Sequence, residues 1–169
     1  MNFFHYIAFF IVSSVLLLAK SEPILEDSYK HSAKNGISIE KQYELANSAM
    51  DFGLFESAAE IYESLLGAEG IEAANINLEV LRFSLIKAYI GSRDFESAEL
   101  FLNEIPRVNQ GDQFFLYNLI TQYILNYNQS KKDLLDLLKR NLKQIKEERL
   151  VDGEKAWYYY YRATEEVIK

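Results

Sequence analysis

The sequence predicts an all-α protein built from antiparallel helix pairs, and three observations carry that prediction. Apolar residues recur at helical spacing almost without interruption from Ser38 to Lys169. Only two prolines and seven glycines occur in 169 residues, so long helices are allowed and a turn-rich β fold is disfavoured. No segment alternates with period two over a useful length. Composition agrees: 49% of residues are hydrophobic and 25% charged, the profile of a chain that can bury a core rather than stay disordered.

Residues 1–21 differ from everything after them. The run Ile7 to Ala19 carries no charge and is shorter than the roughly 20 residues a membrane span needs. Ala19-Lys20-Ser21 sets small residues at the −3 and −1 positions of a signal-peptidase site, with Glu22-Pro23 beyond it. The segment therefore reads as a signal helix; the other reading is an uncleaved anchor, since no Lys or Arg precedes the apolar run. The chain has no cysteine, which excludes a lipidated leader, disulfides and thiolate metal sites. Cleavage removes one basic residue, Lys20, and takes the formal charge from −7 to −8. The expected location is exported, periplasmic or cell envelope first and secreted next, with membrane contact only through a retained leader.

Residues 22–37 are polar and weakly periodic and read as a linker. Ser38 then caps a first helix over 38–52, with Tyr43, Ala46, Ala49 and Met50 on its apolar side. Gly53 breaks it. A second helix covers 55–66, its stripe being Phe55, Ala58, Ala59, Tyr62 and Leu65. The third is expected over 73–91, burying Leu78, Leu81, Leu85, Ala88 and Tyr89. Asp94 caps a fourth, 95–105, which Pro106 closes. Asp112 opens a fifth, 112–128. Ser130-Lys131-Lys132-Asp133 has the form of a capping box and starts a sixth, 130–148. Asp152-Gly153 starts a seventh that runs to Lys169. Its five consecutive aromatics, Trp157 to Tyr161, fall on every face of the helix at about 100° per residue, so ordinary amphipathicity is not expected there.

One tetrapeptide recurs. Phe55-Glu56-Ser57-Ala58 returns 40 residues later as Phe95-Glu96-Ser97-Ala98, each copy opening a helix after a turn. Self-similarity at such a period marks stacked units that share a continuous core. On these residues the arrangement resembles the tetratricopeptide repeat, a helix-turn-helix of about 34 residues. Leu45 and Ala46 fall at that family's Leu-Gly pair, Ala49 at its tyrosine, Gly53 at its turn glycine, Ala58 at its alanine and Tyr62 at the aromatic beyond. In the second copy Tyr89, Ala98 and Leu102 match in turn. Arg93 stands where the turn glycine is usual, Pro106 comes early, and a loop around 67–75 lengthens the unit. The third copy, 112–149, places Leu134 at the alanine, which demands a wider helix spacing.

The resemblance implies units at about 38–70, 73–107 and 112–149 in a short α-solenoid, with 152–169 as the first helix of an incomplete fourth. It further implies a groove lined by the first helices, carrying Tyr43, Asn47 and Met50, then Phe83, Lys87 and Ile90, then Tyr123 and Asn126. The expected function is an exported scaffold that binds a protein or peptide partner; the alternative is an N-terminal assembly segment of a larger cell-envelope protein. Trp157, Tyr158, Tyr159, Tyr160 and Tyr161 are candidates for self-association.

Catalytic chemistry is not legible. His31 is the one histidine beyond the leader and lies in the linker. Gly67-Ala68-Glu69-Gly70 lacks the Lys-Ser/Thr ending of a phosphate loop. Glu147-Glu148 and Glu165-Glu166 are adjacent on helices and so diverge. The cluster Lys139, Arg140, Lys143 and Lys146 reads as a solvated helix face rather than a nucleic-acid stripe. No enzyme, cofactor, metal or nucleic acid is therefore expected.

Overall fold

A computed structural model describes residues 37–169, which form seven α-helices and three short 3-10 turns, with no strand among the described residues. The expected signal helix, the linker as far as residue 36 and His31 lie outside the described residues. The chain divides into two compact units, one ending at Ile76 and one running from Asn77 to Lys169.

In the first unit, α1 (Ile39–Asp51) and α2 (Phe55–Leu66) form a hairpin. Ser38 caps α1, its hydroxyl accepting from the Lys41 N–H at 3.4 Å. Ala46 and Ala49 of α1 and Ala58 of α2 have no exposed surface, so the hairpin closes on side chains of minimal size. The turn is a Schellman motif: the Leu54 N–H donates to Ala49 O at 2.8 Å and the Gly53 N–H to Met50 O at 3.1 Å. Gly53 sits at φ 74°, the left-handed region glycine enters without strain.

The 40-residue repeat is a repeat of backbone as well as of sequence. In the second unit α3 (Leu78–Ser92) ends one residue past the position equivalent to the end of α1, and α4 (Phe95–Asn103) starts with Phe95 as α2 starts with Phe55. The Asp94 N–H donates to Tyr89 O and the Arg93 N–H to Ile90 O, the same two bonds shifted by one repeat. Arg93 takes φ 67°, so an arginine bears the left-handed strain that Gly53 avoids. Asp94 also caps α4, accepting from the Ser97 N–H at 3.1 Å. Ala98, like Ala58, is fully buried.

α5 (Asp112–Leu125) and α6 (Lys131–Leu142) form the third hairpin, and α7 (Asp152–Ile168) follows. Ser130 caps α6, accepting from the Asp133 N–H at 3.2 Å. The turn has no left-handed residue, and the helices cross on polar groups: Asn118 Nδ2 donates to Asn141 Oδ1 at 3.0 Å. Leu134 is buried where the first two hairpins have alanine. Within this unit α5 packs on both α3 and α4, and α7 on both α5 and α6.

Helix boundaries differ from expectation in physically explicable ways. The third helix begins at Leu78, not near residue 73, because Gly70 and Asn75 are both left-handed and bracket a 3-10 turn, Ile71–Ala74. Asn77 then caps α3, its side-chain oxygen accepting from the Glu79 and Val80 N–H groups. The fourth, fifth and sixth helices end at Asn103, Leu125 and Leu142, short of the expected 105, 128 and 148. Glu147–Arg149 forms a separate 3-10 turn. The aromatic helix is also more ordinary in its burial than its composition predicts. Of its five consecutive aromatics only Tyr161 is buried, on one face with Glu154 and Glu165, while Trp157, Tyr159 and Tyr160 are about half exposed.

Candidate functional site

The most organised polar cluster of the second unit joins three helices in one lateral row. Phe83 of α3 lies against Tyr117 of α5, ring centroids 6.2 Å apart. Tyr117 donates its hydroxyl proton to Glu154 Oε1 of α7 at 2.7 Å, and Gln113 Nε2 donates to the same oxygen at 2.8 Å. Glu154 Oε2 accepts from the Val151 N–H at 3.1 Å, so the carboxylate also caps the helix that carries it. With three donors on a carboxylate 4% exposed, the desolvation of the charge is offset by hydrogen bonds. Burial, with the Glu154 charge and hydrogen bond adding to it, holds the Tyr117 hydroxyl well above the ordinary tyrosine range, so it stays a donor.

Phe83 and Tyr117 are each the sixth residue of their helix, which sets the register between α3 and α5. The second residues, Glu79 and Gln113, both line a cleft of about 210 Å³ that Phe83 and Arg149 also border. Arg149 is held 3.4 Å from Asp112, whose other oxygen accepts from the Lys146 backbone N–H. The tenth residues are Lys87, exposed, and Thr121, fully buried; the thirteenth are Ile90 and Ile124, both partly open to solvent.

In this register the counterparts to Phe83, Lys87 and Ile90 in the third hairpin are Tyr117, Thr121 and Ile124, while the expected Tyr123 and Asn126 take other positions. Tyr123 lies about 240° around α5 from Tyr117 and packs on Tyr161 of α7, centroids 5.2 Å apart. Asn126 belongs to a chain of amides: it donates to Gln122 Oε1 at 3.0 Å, Gln122 donates to Glu99 of α4 at 2.6 Å, and Gln129 donates to Asn126 at 2.6 Å. These amides border a separate open cleft of about 340 Å³ between α5 and α6. Phe83 itself is 8% exposed, so it serves as a wall of the row more than as a free contact.

Comparison with known proteins finds no matching family model, no similar curated protein and no similar solved structure.

In the first unit the three expected residues share α1. Asn47 Oδ1 accepts from the Tyr62 hydroxyl at 2.7 Å and the Tyr43 ring lies 6.2 Å from that of Tyr62, so both face α2, while Met50 is half-buried. Sequence reasoning missed Gln113, Tyr117 and Glu154. The available signal was the i, i+4 pair Gln113 and Tyr117 at the start of a helix; the carboxylate lies 37 residues beyond Tyr117. Among the described residues no cluster of acidic or histidine side chains has the geometry to hold a metal, and no helix is long and apolar enough to cross a membrane.

Proposed function

We propose that this protein is an exported, tetratricopeptide-like scaffold that holds a protein or peptide partner and does no chemistry of its own. The partner lies across the first helices of successive hairpins in the second unit, α3, α5 and α7. The observation that carries this reading is the lateral row Phe83, Tyr117, Gln113 and Glu154, which ties those three helices side by side. A scaffold of this kind needs its binding face rigid before the partner arrives, because ordering it afterwards subtracts from affinity. The buried row supplies rigidity, and the residues bordering it supply contacts: Glu79, Lys87, Ile90, Ile124 and Arg149 all retain exposed surface. Both signs of charge and two isoleucines suit an extended peptide of mixed composition.

The array reading draws further support from the packing of α5 on both helices of the preceding hairpin and of α7 on both helices of the next. Peptide display against the full chain tests the function. Selected peptides are expected to lose about ten-fold in affinity on Lys87→Glu, as for a contact worth roughly 1.4 kcal/mol, and to tolerate Glu104→Lys. Peptides indifferent to position 87, or no selectable peptide at all, would remove the reading.

A further inference from the structure

Among the described residues of the second unit, α7 packs one of its two faces on other helices. Its inner face, with Glu154, Tyr161 and Glu165 buried and Tyr158 half-buried, meets α5 and α6. Its outer face holds Gly153, Ala156, Tyr160, Ala163 and Val167, spaced three and four residues apart, with Trp157 beside them. All six are exposed, Trp157 and Tyr160 at 45% and Val167 at 68%. None is charged. Alternating small and large residues at this spacing form the surface of a helix that packs against another helix.

The charges on the flank of that face identify the other helix. Along it run Asp152, Lys155, Tyr159, Arg162, Glu166 and Lys169, at intervals of three, four, three, four and three residues, a spacing that reads the same in both directions. Laid antiparallel on its own copy, this flank sets Asp152 beside Lys169, Lys155 beside Glu166 and Tyr159 beside Arg162, and the twofold axis repeats each pair. A parallel copy would instead set this flank against the opposite side of its partner, the side that carries the buried Glu154, Tyr161 and Glu165, and these pairs would not form. The charged groups of the flank pair within α7 itself. Lys155 reaches Asp152 at 3.5 Å and Lys169 reaches Glu166 at 2.6 Å, surface pairs of the kind that contributes little on its own, while Arg162 and Lys169 each reach the buried Glu165 at 3.1 Å. Tyr159 donates its hydroxyl to Glu147 and tilts against Tyr158, centroids 5.7 Å apart, and its half-exposed ring still has surface for a guanidinium.

We infer that α7 is an isologous docking helix, and that its occupant is α7 of a second copy of this chain, packed antiparallel. Tyr160 of each copy lies at the twofold axis, and Trp157 of each covers the Ala163 and Thr164 of the other. Ala156 and Ala163 allow the helices to close, and the complementary flanks fix direction and register. This assembly uses none of the residues assigned to the partner face, so it stands or falls independently of that reading.

The natural absence of cysteine makes the test direct. In the full chain, Tyr160→Cys and Val167→Cys are introduced singly and oxidised, and cross-linked dimers are read on non-reducing gels. Cross-linking at 160 without cross-linking at 167 is expected, because antiparallel copies bring only the axial position against itself. Cross-linking at both positions, at 167 alone or at neither overturns the inference. Sedimentation gives a second reading that does not depend on the cysteines. Lys155→Glu should weaken the dimer about ten-fold, replacing two attractive pairs by two repulsive ones, and Lys155→Glu with Glu166→Lys should restore it. A double variant as weak as the single one would overturn the pairing, with circular dichroism establishing that both variants stay helical.

Discussion

The first two hairpins and the third are the same device closed by different chemistry. In α1/α2 and α3/α4 a fully buried alanine, Ala58 or Ala98, follows a left-handed turn residue by five positions. In α5/α6 the turn is longer, Leu134 fills the alanine's place, and an Asn118–Asn141 bond joins the helices. The contrast teaches that a hairpin can be specified by size, where two backbones approach, or by a polar pair whose desolvation punishes any other register.

Exchanging the sizes breaks the comparison most severely. Leu134→Ala should cost roughly 2–4 kcal/mol by opening a cavity in the third hairpin. Ala98→Leu should cost roughly 1–3 kcal/mol by overpacking the second. Urea unfolding of the full chain reads both, and a neutral Ala98→Leu would mean that the second hairpin does not close on its alanine.

Alkaline pH gives an effect of the next size in the second unit. Burial raises Tyr117, with the Glu154 charge and hydrogen bond reinforcing it, and burial raises Tyr161, with Tyr160 and Tyr123 reinforcing it. A group raised in the folded state contributes fully below its unfolded pKa, about 10 for tyrosine, and loses that contribution as pH climbs toward the folded value. Stability should therefore fall above about pH 10, by about 1.4 kcal/mol per pH unit for each of the two tyrosines. Unfolding midpoints between pH 8 and 11 measure it, and Tyr117→Phe should lower the slope. A flat profile would show that neither hydroxyl is held neutral by the fold.

The smallest effect sharpens the likeness between the first two hairpins. Arg93→Gly should stabilise by about 0.5–1 kcal/mol, since glycine enters the left-handed region without the Cβ penalty, and Gly53→Ala should destabilise by about 1 kcal/mol. Thermal melts that move the other way at either site would deny that the two turns are equivalent.

The sequence made the helices legible because their signals are local. Ser38, Asp94 and Ser130 each cap the helix they were expected to cap. The repeated Phe-Glu-Ser-Ala announced a repeated turn. What stayed hidden depends on distance or on single backbone angles. The left-handed Asn75 moved the start of α3, and nothing in its neighbours required that angle. The register that relates Tyr123 and Asn126 to α3 was not legible, because it follows from the Phe83–Tyr117 contact, which no local period encodes. Glu154 is a first-turn acid of α7 whose role comes from Tyr117 and Gln113, on a helix far earlier in the chain.

That clasp is where the account is most exposed. A double-mutant cycle on Tyr117→Phe and Glu154→Gln, measured by urea unfolding of the full chain, tests whether α5 and α7 form one rigid face. The account predicts a coupling of about 1 kcal/mol or more, as for a buried hydrogen bond to a charged group. Additive single effects, with no coupling, would contradict it and leave the first helices without the row that joins them.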